Sequence, residues 1–171
     1  MSFEELIQKK PVIAASAFIF PGAIVTGDVR IKDNVSVWYN AVIRGDMANI
    51  VIGDSTNIQD LAMIHTNRNR PTLIGKNVTI GHGAIIHACT IGNDCLIGMG
   101  SIILDNATIG DGAMIGAGTV VPPNKVVPPG MLAYGNPMVV TRALTKDELL
   151  ANKNNAVHYV EMMNLYKQIN R

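Results

Sequence analysis

Three of the chain's four histidines, His65, His82 and His87, stand in tracts that otherwise admit small and branched apolar residues, "MIHTN" and "IGHGAIIHACTIG". An imidazole gains or loses its proton near neutrality, and its neutral nitrogen is the commonest protein ligand for a metal ion. A single such ring could serve as a general base. Three converging on one point, with a fourth position open, would make a catalytic zinc site. Which chemistry applies depends on where the chain places the rings.

The placement follows from a repeat of six. Aliphatic residues recur at that interval through Ile13, Ile19, Val25, Ile31, Val37 and Ile43, then through Ile52, Ile58 and Ile64, then Ile74, Ile80 and Ile86. The series runs again from Ile91 through Ile97, Ile103, Ile109, Ile115 and Val121 to Val127. Small or branched residues such as Ala41, Ala62, Val78, Ala84 and Ala107 follow four positions later. This is the hexapeptide repeat of a parallel β-helix. Each hexad gives a short strand and a turn, three hexads close a triangular coil, and coils stack at about 4.8 Å. A helical reading fails, because six is not a multiple of 3.6 and Gly and β-branched residues abound.

The chain is therefore expected to be an all-β solenoid of hexapeptide repeats over 13–140, after a lead-in over 1–12. The Pro- and Gly-rich "VVPPGMLAYGNPMVVTR" ends it. Thr145 and Glu148 then form a capping box, which opens a C-terminal α-helix in 145–170, with its helical turns over roughly 146–169. Leu149, Leu150, Val157, Val160 and Ile169 are expected to form its apolar face, laid back along the coils as a cap.

Three interruptions of the period fall beside polar residues. Ile43 to Ile52 is nine steps, three too many; Ile64 to Ile74 is ten, four too many; Ile86 to Ile91 is five, one too few. Solenoids place insertions on loops at a binding face. His65 and His87 each follow an inward Ile and are 22 residues apart, which becomes 18, one full coil, once the four inserted residues are removed. They stack on one face, and the same count adds Arg44 to their column. A second column holds Asp60 and His82, with Gln59 beside Asp60. His82 closes the preceding face and points away from the spot that His65 and His87 share. If three prisms pack around a threefold axis, His82 of one chain can meet His65 and His87 of its neighbour. An isolated outward His is ordinarily a solvated surface residue; two stacked rings with a third placed for a neighbour favour a metal site. His158, outside this pattern, reads as a surface or packing residue.

Composition bounds the remaining possibilities. Apolar residues make up 48% and aromatics 5%, so one domain with a core of Ile, Val and Ala is expected. A net charge of +1 without a basic run gives no reason to expect nucleic acid or a membrane surface. No apolar run reaches the ~18 residues of a membrane span, and "MSFEELIQKKP" does not read as a secretory signal. Two cysteines are too few for a disulfide framework, which favours a reducing, cytoplasmic setting. Cys95 falls at an inward position, whereas Cys89 lies in the shortened hexad near His87. Trp38 is expected to point outward, toward a contact between copies or the approach to the site. Met99 and Met114 read as packing.

The segments "VIRGD" (42–46), "NIQD" (57–60), "IH" (64–65) and "GHGAIIH" (81–87) together resemble the gamma-class carbonic anhydrases and their bacterial homologues. The likeness spans nearly the whole period and the "LAYGNPMVV" exit. It implies a left-handed parallel β-helix and a homotrimer. The implied ligands are His65, His82 and His87, with His82 from the adjacent subunit, holding Zn2+, with Fe2+ or Co2+ suited to the same donors. The resemblance casts Arg44 and Asp60 as a pair across the subunit interface and Gln59 as the residue that orients the metal-bound water. Asp46 supports the same network, and Tyr159 stands either at the site mouth or as a packing residue of the terminal helix. The implied reaction is hydration of CO2 to bicarbonate by metal-bound hydroxide. Archetypes of the family carry proton-shuttling glutamates on the site loops; "MANIVIGD" and "TNRNRPTL" contain none.

Two other readings stay open at this point. Hexapeptide-repeat acyltransferases or thioesterases act on coenzyme A thioesters, the former with one catalytic His as general base. A trimeric metal-binding scaffold without catalysis would keep the fold alone.

Overall fold

The computed structural model describes residues 3–169, so residues 1–2 of the expected lead-in and residue 170 of the expected C-terminal segment lie outside the described residues. A short helix, α1 (Phe3–Gln8), leads into a left-handed parallel β-helix of about seven coils. One face stacks Val42–Ile43, Met63–His65, Ile85–His87, Ile102–Ile103 and Val120–Val121. A second stacks Ile50–Ile52, Thr72–Ile74, Thr90–Ile91, Thr108–Ile109 and Val126–Val127. The third runs from Phe18–Ile19 through Ser36–Val37, Asn57–Ile58, Thr79–Ile80, Leu96–Ile97 and Met114–Ile115 to Met131–Gly135. There the hairpin strand Met138–Ala143 turns back antiparallel and ends the parallel stack.

The two-residue strands keep register because the inward aliphatic of each hexad sits above that of the coil below. From Ile31 to Val127 every member of the six-residue series is buried in one continuous core. Truncating one such Ile to Ala costs about 2–5 kcal/mol. The first coil is the open end, and there Ile13 is exposed. Corners need a left-handed residue, supplied by Asn34, Asn40, Asn77, Asn106 and Asn124, whose φ lies between +55° and +63°. Asn tolerates that region because its short amide can bond locally.

The terminal helix, α2 (Lys146–Ile169), is opened by the capping box: Glu148 N–H donates to Thr145 Oγ1 at 3.2 Å and Thr145 N–H to Glu148 Oε2 at 2.8 Å. It lies along the third face, against Ser36–Val37, Asn57–Ile58 and Thr79–Ile80. The apolar face expected from the sequence is corrected in part: Val160 packs against the aromatic cluster and Leu149 is half-buried, but Leu150, Val157 and Ile169 point to solvent. The packed side is centred on Asn152, Ala156, Tyr159, Met163 and Tyr166, at helical spacing, with Val160 beside them. Its seat is an aromatic cluster in which Phe20 stacks on Trp38 at 4.1 Å, with Tyr159 and Tyr166 edge-on to Trp38. Trp38 is thus buried under α2, rather than turned toward a contact between copies or the approach to the site as expected. Among the described residues no helix is long and apolar enough to cross a membrane.

Candidate metal centre

Both insertions build the site. The three residues added after Ile43 lengthen one strand to Val42–Ile52, which turns a corner and bulges against its partner: Gly27 pairs with Gly45, but Val29 pairs with Ile50. The bulge carries Asp46 outward beside the next coil. Gly45 permits this, because a Cβ there would lie 2.7 Å from the Asp28 carbonyl oxygen. The four residues added after Ile64 form a tight loop closed by the Asn67–Arg70 bridge. Thr66 and Thr72 tie that loop down, Thr66 Oγ1 accepting from Ala48 N–H at 3.1 Å and Thr72 Oγ1 donating to His65 O at 2.6 Å.

His65 and His87 are register partners on adjacent strands, with Arg44 one coil earlier in the same column. Each of the three imidazoles has one nitrogen on a carboxylate. His65 Nε2 lies 2.8 Å from Asp46 Oδ1, His87 Nδ1 2.5 Å from Asp105 Oδ1, and His82 Nδ1 2.8 Å from Asp60 Oδ2. A carboxylate only accepts, so those nitrogens carry N–H and the opposite ones present lone pairs. His65 Nδ1 and His87 Nε2 then face each other at 3.3 Å, two lone pairs on one spot. Such an arrangement calls for a positive charge between them, either a proton or a metal ion. Two imidazole ligands of a tetrahedral zinc, each about 2.05 Å from it, stand about 3.3 Å apart. The carboxylate behind each ring is the usual outer partner of a metal-binding His. The donor set therefore fits a divalent metal.

Electrostatics agree with this hydrogen-bond pattern. Burial works against the Asp46 carboxylate, yet bonds from His65 and Arg44 outweigh it and hold the carboxyl below its ordinary range. At Asp105 burial is likewise overcome, by Asn67 and His87, and the carboxyl is again lowered. Burial pushes both thiols up to about 12, and Cys89 and Cys95 lie in the core, not at the rings.

Two imidazoles converge within one chain, and among the described residues no three His, Cys, Asp or Glu side chains share a point. His82 stands apart on the preceding corner, its side chain 47% exposed against 16% for His65. Within the chain Arg44 pairs with Asp46, and Asp60 with His82.

Gln59 lies beside His82 and is held at both ends: Oε1 accepts His82 N–H at 3.2 Å, and Nε2 donates to Asn57 Oδ1 at 3.1 Å. Asn57 in turn donates to Thr79 Oγ1, which also accepts from Asn155 of α2 at 3.0 Å. The terminal helix is thereby wired to Gln59. Tyr159 packs on Trp38 and also feels the Asp60 charge; burial first and that charge second raise its phenol. A groove of about 390 Å³ runs from Gln59 and His82 past Leu96, Met99 and Met114 to Asn155. Met99 is thus an exposed groove residue, a correction to its reading as ordinary packing.

Asp105 is the site residue that sequence reasoning missed. A signal was present: it stands 18 positions after His87, and each directly precedes a left-handed corner residue, Ala88 and Asn106.

Comparison with known proteins meets this geometry. The family model for bacterial transferase hexapeptide (six repeats) matches residues 88–123. A protein of Methanocaldococcus jannaschii named "Probable carbonic anhydrase" is 51% identical over 151 residues, covering 88% of this chain and 95% of that one. The mitochondrial gamma carbonic anhydrase 2 of Arabidopsis thaliana is 38% identical, covering 96% of this chain and 62% of that one. Among solved structures, a Bacillus cereus protein bearing an acetyltransferase name matches with a TM-score of 0.93 at 46% identity, over 95% of this chain and 94% of that one. By its repeat and by these relatives over most of its length, the chain belongs to the gamma-class carbonic anhydrase family.

Proposed function

We propose that the chain forms a homotrimer and catalyses the reversible hydration of CO2 to bicarbonate at zinc held by His65 and His87 of one subunit and His82 of the next. The observation that carries this reading is the pair of imidazole lone pairs facing each other at 3.3 Å with a carboxylate behind each ring. Fe2+ and Co2+ suit the same nitrogens. Bound zinc supplies Lewis acidity that lowers the pKa of a water to about 7, a value for which carbonic anhydrase is itself the reference case.

The chain's own groups do the rest. Asp46 and Asp60 hold the rings of His65 and His82 in the tautomer that leaves a free nitrogen for a ligand. Gln59, pinned at both ends, offers the remaining capacity of its amide to the attacking water and fixes its direction. The apolar groove beside His82, lined by Leu96, Met99 and Met114, admits CO2. Arg44 and Asp60 keep 43% and 34% of their side chains exposed, which leaves both available to pair across the subunit contact. Tyr159 packs on Trp38 close enough to Asp60 to feel its charge, which puts it within reach of the site from the terminal helix. Two free, buried thiols accord with a reducing cytoplasmic setting.

Acyl transfer is the second reading, because the Bacillus cereus relative bears an acetyltransferase name. One His–Asp couple would suffice for it as a general base, and the second facing nitrogen would have no role. Stopped-flow CO2 hydration on zinc- and cobalt-loaded protein, with His87→Ala beside it, tests the proposal. A rate lost in the variant supports it. One metal per subunit with no rate above buffer removes CO2 as substrate. Thermal stabilisation by coenzyme A in protein that takes up no metal favours acyl transfer.

A further inference from the structure

Several of the solenoid's corner aspartates and asparagines cap backbone, while others, such as Asp33 and Asp94, bond one or two side chains. Asp54 Oδ1 accepts Asp33 N–H at 3.1 Å, Asn93 Oδ1 accepts Lys76 N–H at 3.0 Å, and Asp111 Oδ1 accepts Asn93 N–H at 2.7 Å. Each side chain caps backbone in the coil below, which is the structural role of such a corner. Asp105 departs from that pattern. Its Oδ1 lies 2.5 Å from His87 Nδ1, its Oδ2 accepts from Asn67 Nδ2 at 2.6 Å, and Arg70 Nη1 stands 3.6 Å from the same oxygen. Both carboxylate oxygens are thus engaged by side chains. Two of those side chains belong to the loop inserted after His65, so one insertion serves both stacked rings. It anchors His65 through Thr72 and reaches across to Asp105 behind His87.

The one-residue deletion between Ile86 and Ile91 completes the device. It brings the corner one residue early, with Ala88 at φ +48°, and so sets His87, the last residue of its strand, directly before the corner and one coil below Asp105. A hexad of normal length would set the turn one residue later and put another residue between His87 and the left-handed corner. Insertion and deletion together assemble Asn67, Arg70, Asp105 and His87.

We infer that Asp105 is the positioning residue of His87, holding its Nδ1–H so that Nε2 is aimed at the point shared with His65, and that Asn67 and Arg70 of the inserted loop hold Asp105 in place. The inference rests on the metal reading proposed above, and it adds a carboxylate and a loop to the set of residues which that reading uses. Asp105 touches neither substrate nor metal; it acts through the ring.

Two measurements on the full-length chain test it. Histidine 15N–1H spectra of the metal-free protein report which ring nitrogen carries the proton. Competition with a chromophoric chelator gives the zinc Kd. In Asp105→Ala the His87 Nδ1–H signature is expected to disappear and the zinc Kd to rise about 10- to 100-fold, the usual cost of losing an outer partner of a ligand. Asp105→Asn, whose amide oxygen still accepts, is expected to restore the tautomer and part of the affinity. Asn67→Ala is expected to weaken zinc less than Asp105→Ala, with the solenoid's melting transition unchanged. Retention of the Nδ1–H signature in Asp105→Ala, or an unchanged zinc Kd, overturns the inference. Wild-type protein that binds no zinc overturns the proposed function separately, and the tautomer then decides the role of Asp105.

Discussion

His65 and His87 are strand partners whose Nδ1 and Nε2 face each other across 3.3 Å, while His82 sits on a different corner with its own carboxylate, Asp60. The centre is therefore split between chains. Subunits carrying His82→Ala lack the donated ring but keep the facing pair; subunits carrying His87→Ala lack the pair but keep the donor. Each variant alone is expected to bind little zinc. Unfolded, mixed and refolded together, they should regain about one tight site per mixed trimer, since one junction in each joins an intact pair to an intact His82. Zinc content by elemental analysis of the mixed trimers reads this directly. No recovery would mean that His82 does not complete the site of a neighbour.

Gly45 is the narrowest point of the framework behind Asp46. A methyl group there would meet the Asp28 carbonyl, so the bulged strand would have to shift outward, taking Asp46 from His65. Gly45→Ala is expected to lower the melting temperature by several degrees, corresponding to about 1–3 kcal/mol of overpacking. It should also weaken zinc more than Gly118→Ala, a corner glycine with open space around it. Equal zinc affinity in the two variants would show that the bulge can relax without moving the carboxylate.

The column of His65 and His87 could be read from the sequence because each coil spends a fixed number of residues and insertions subtract cleanly. The capping box at Thr145 could be read because it is local. Asp105 escaped because the shortened hexad displaces corner and strand registers by one residue relative to each other, so its inward neighbour Ile103 pairs with Ile86 while it stands a coil from His87 at the corner. The seat of α2 escaped for a different reason. Its packed side includes the polar Asn152 and the small Ala156, and its rings are met by Phe20 and Trp38, far earlier in the chain. Helix periodicity gives no account of where a long amphipathic surface will dock.

Asp46 and Asp105 are expected to contribute to the acid sensitivity of the fold. Both carboxyls sit below their ordinary range in the folded chain. A depressed folded-state pKa contributes stability that is fully present above the unfolded value, about 4 for Asp, and is lost as pH falls through the folded one. Urea midpoints are thus expected to decline as pH drops below about 4, and the decline should be shallower in the Asp46→Asn, Asp105→Asn double variant. Parallel acid limbs in the two proteins would place the acid sensitivity elsewhere.

Asn152 lies on the packed side of α2, 1% exposed, and neither atom of its amide has a hydrogen-bond partner among the described residues. A buried amide left unpaired costs about 1–3 kcal/mol. Leucine has the same number of side-chain heavy atoms, no polar group to satisfy and a better helix propensity. Asn152→Leu is therefore expected to raise the unfolding free energy by about 1–2 kcal/mol, read as a higher urea midpoint with an unchanged slope. The change should leave the Asn155–Thr79–Asn57 wiring to Gln59 intact, because it alters a neighbouring turn of the helix and none of those groups. A lower midpoint would mean that the amide is satisfied in the assembled protein, and that α2 is held in register by a polar contact on its packed side.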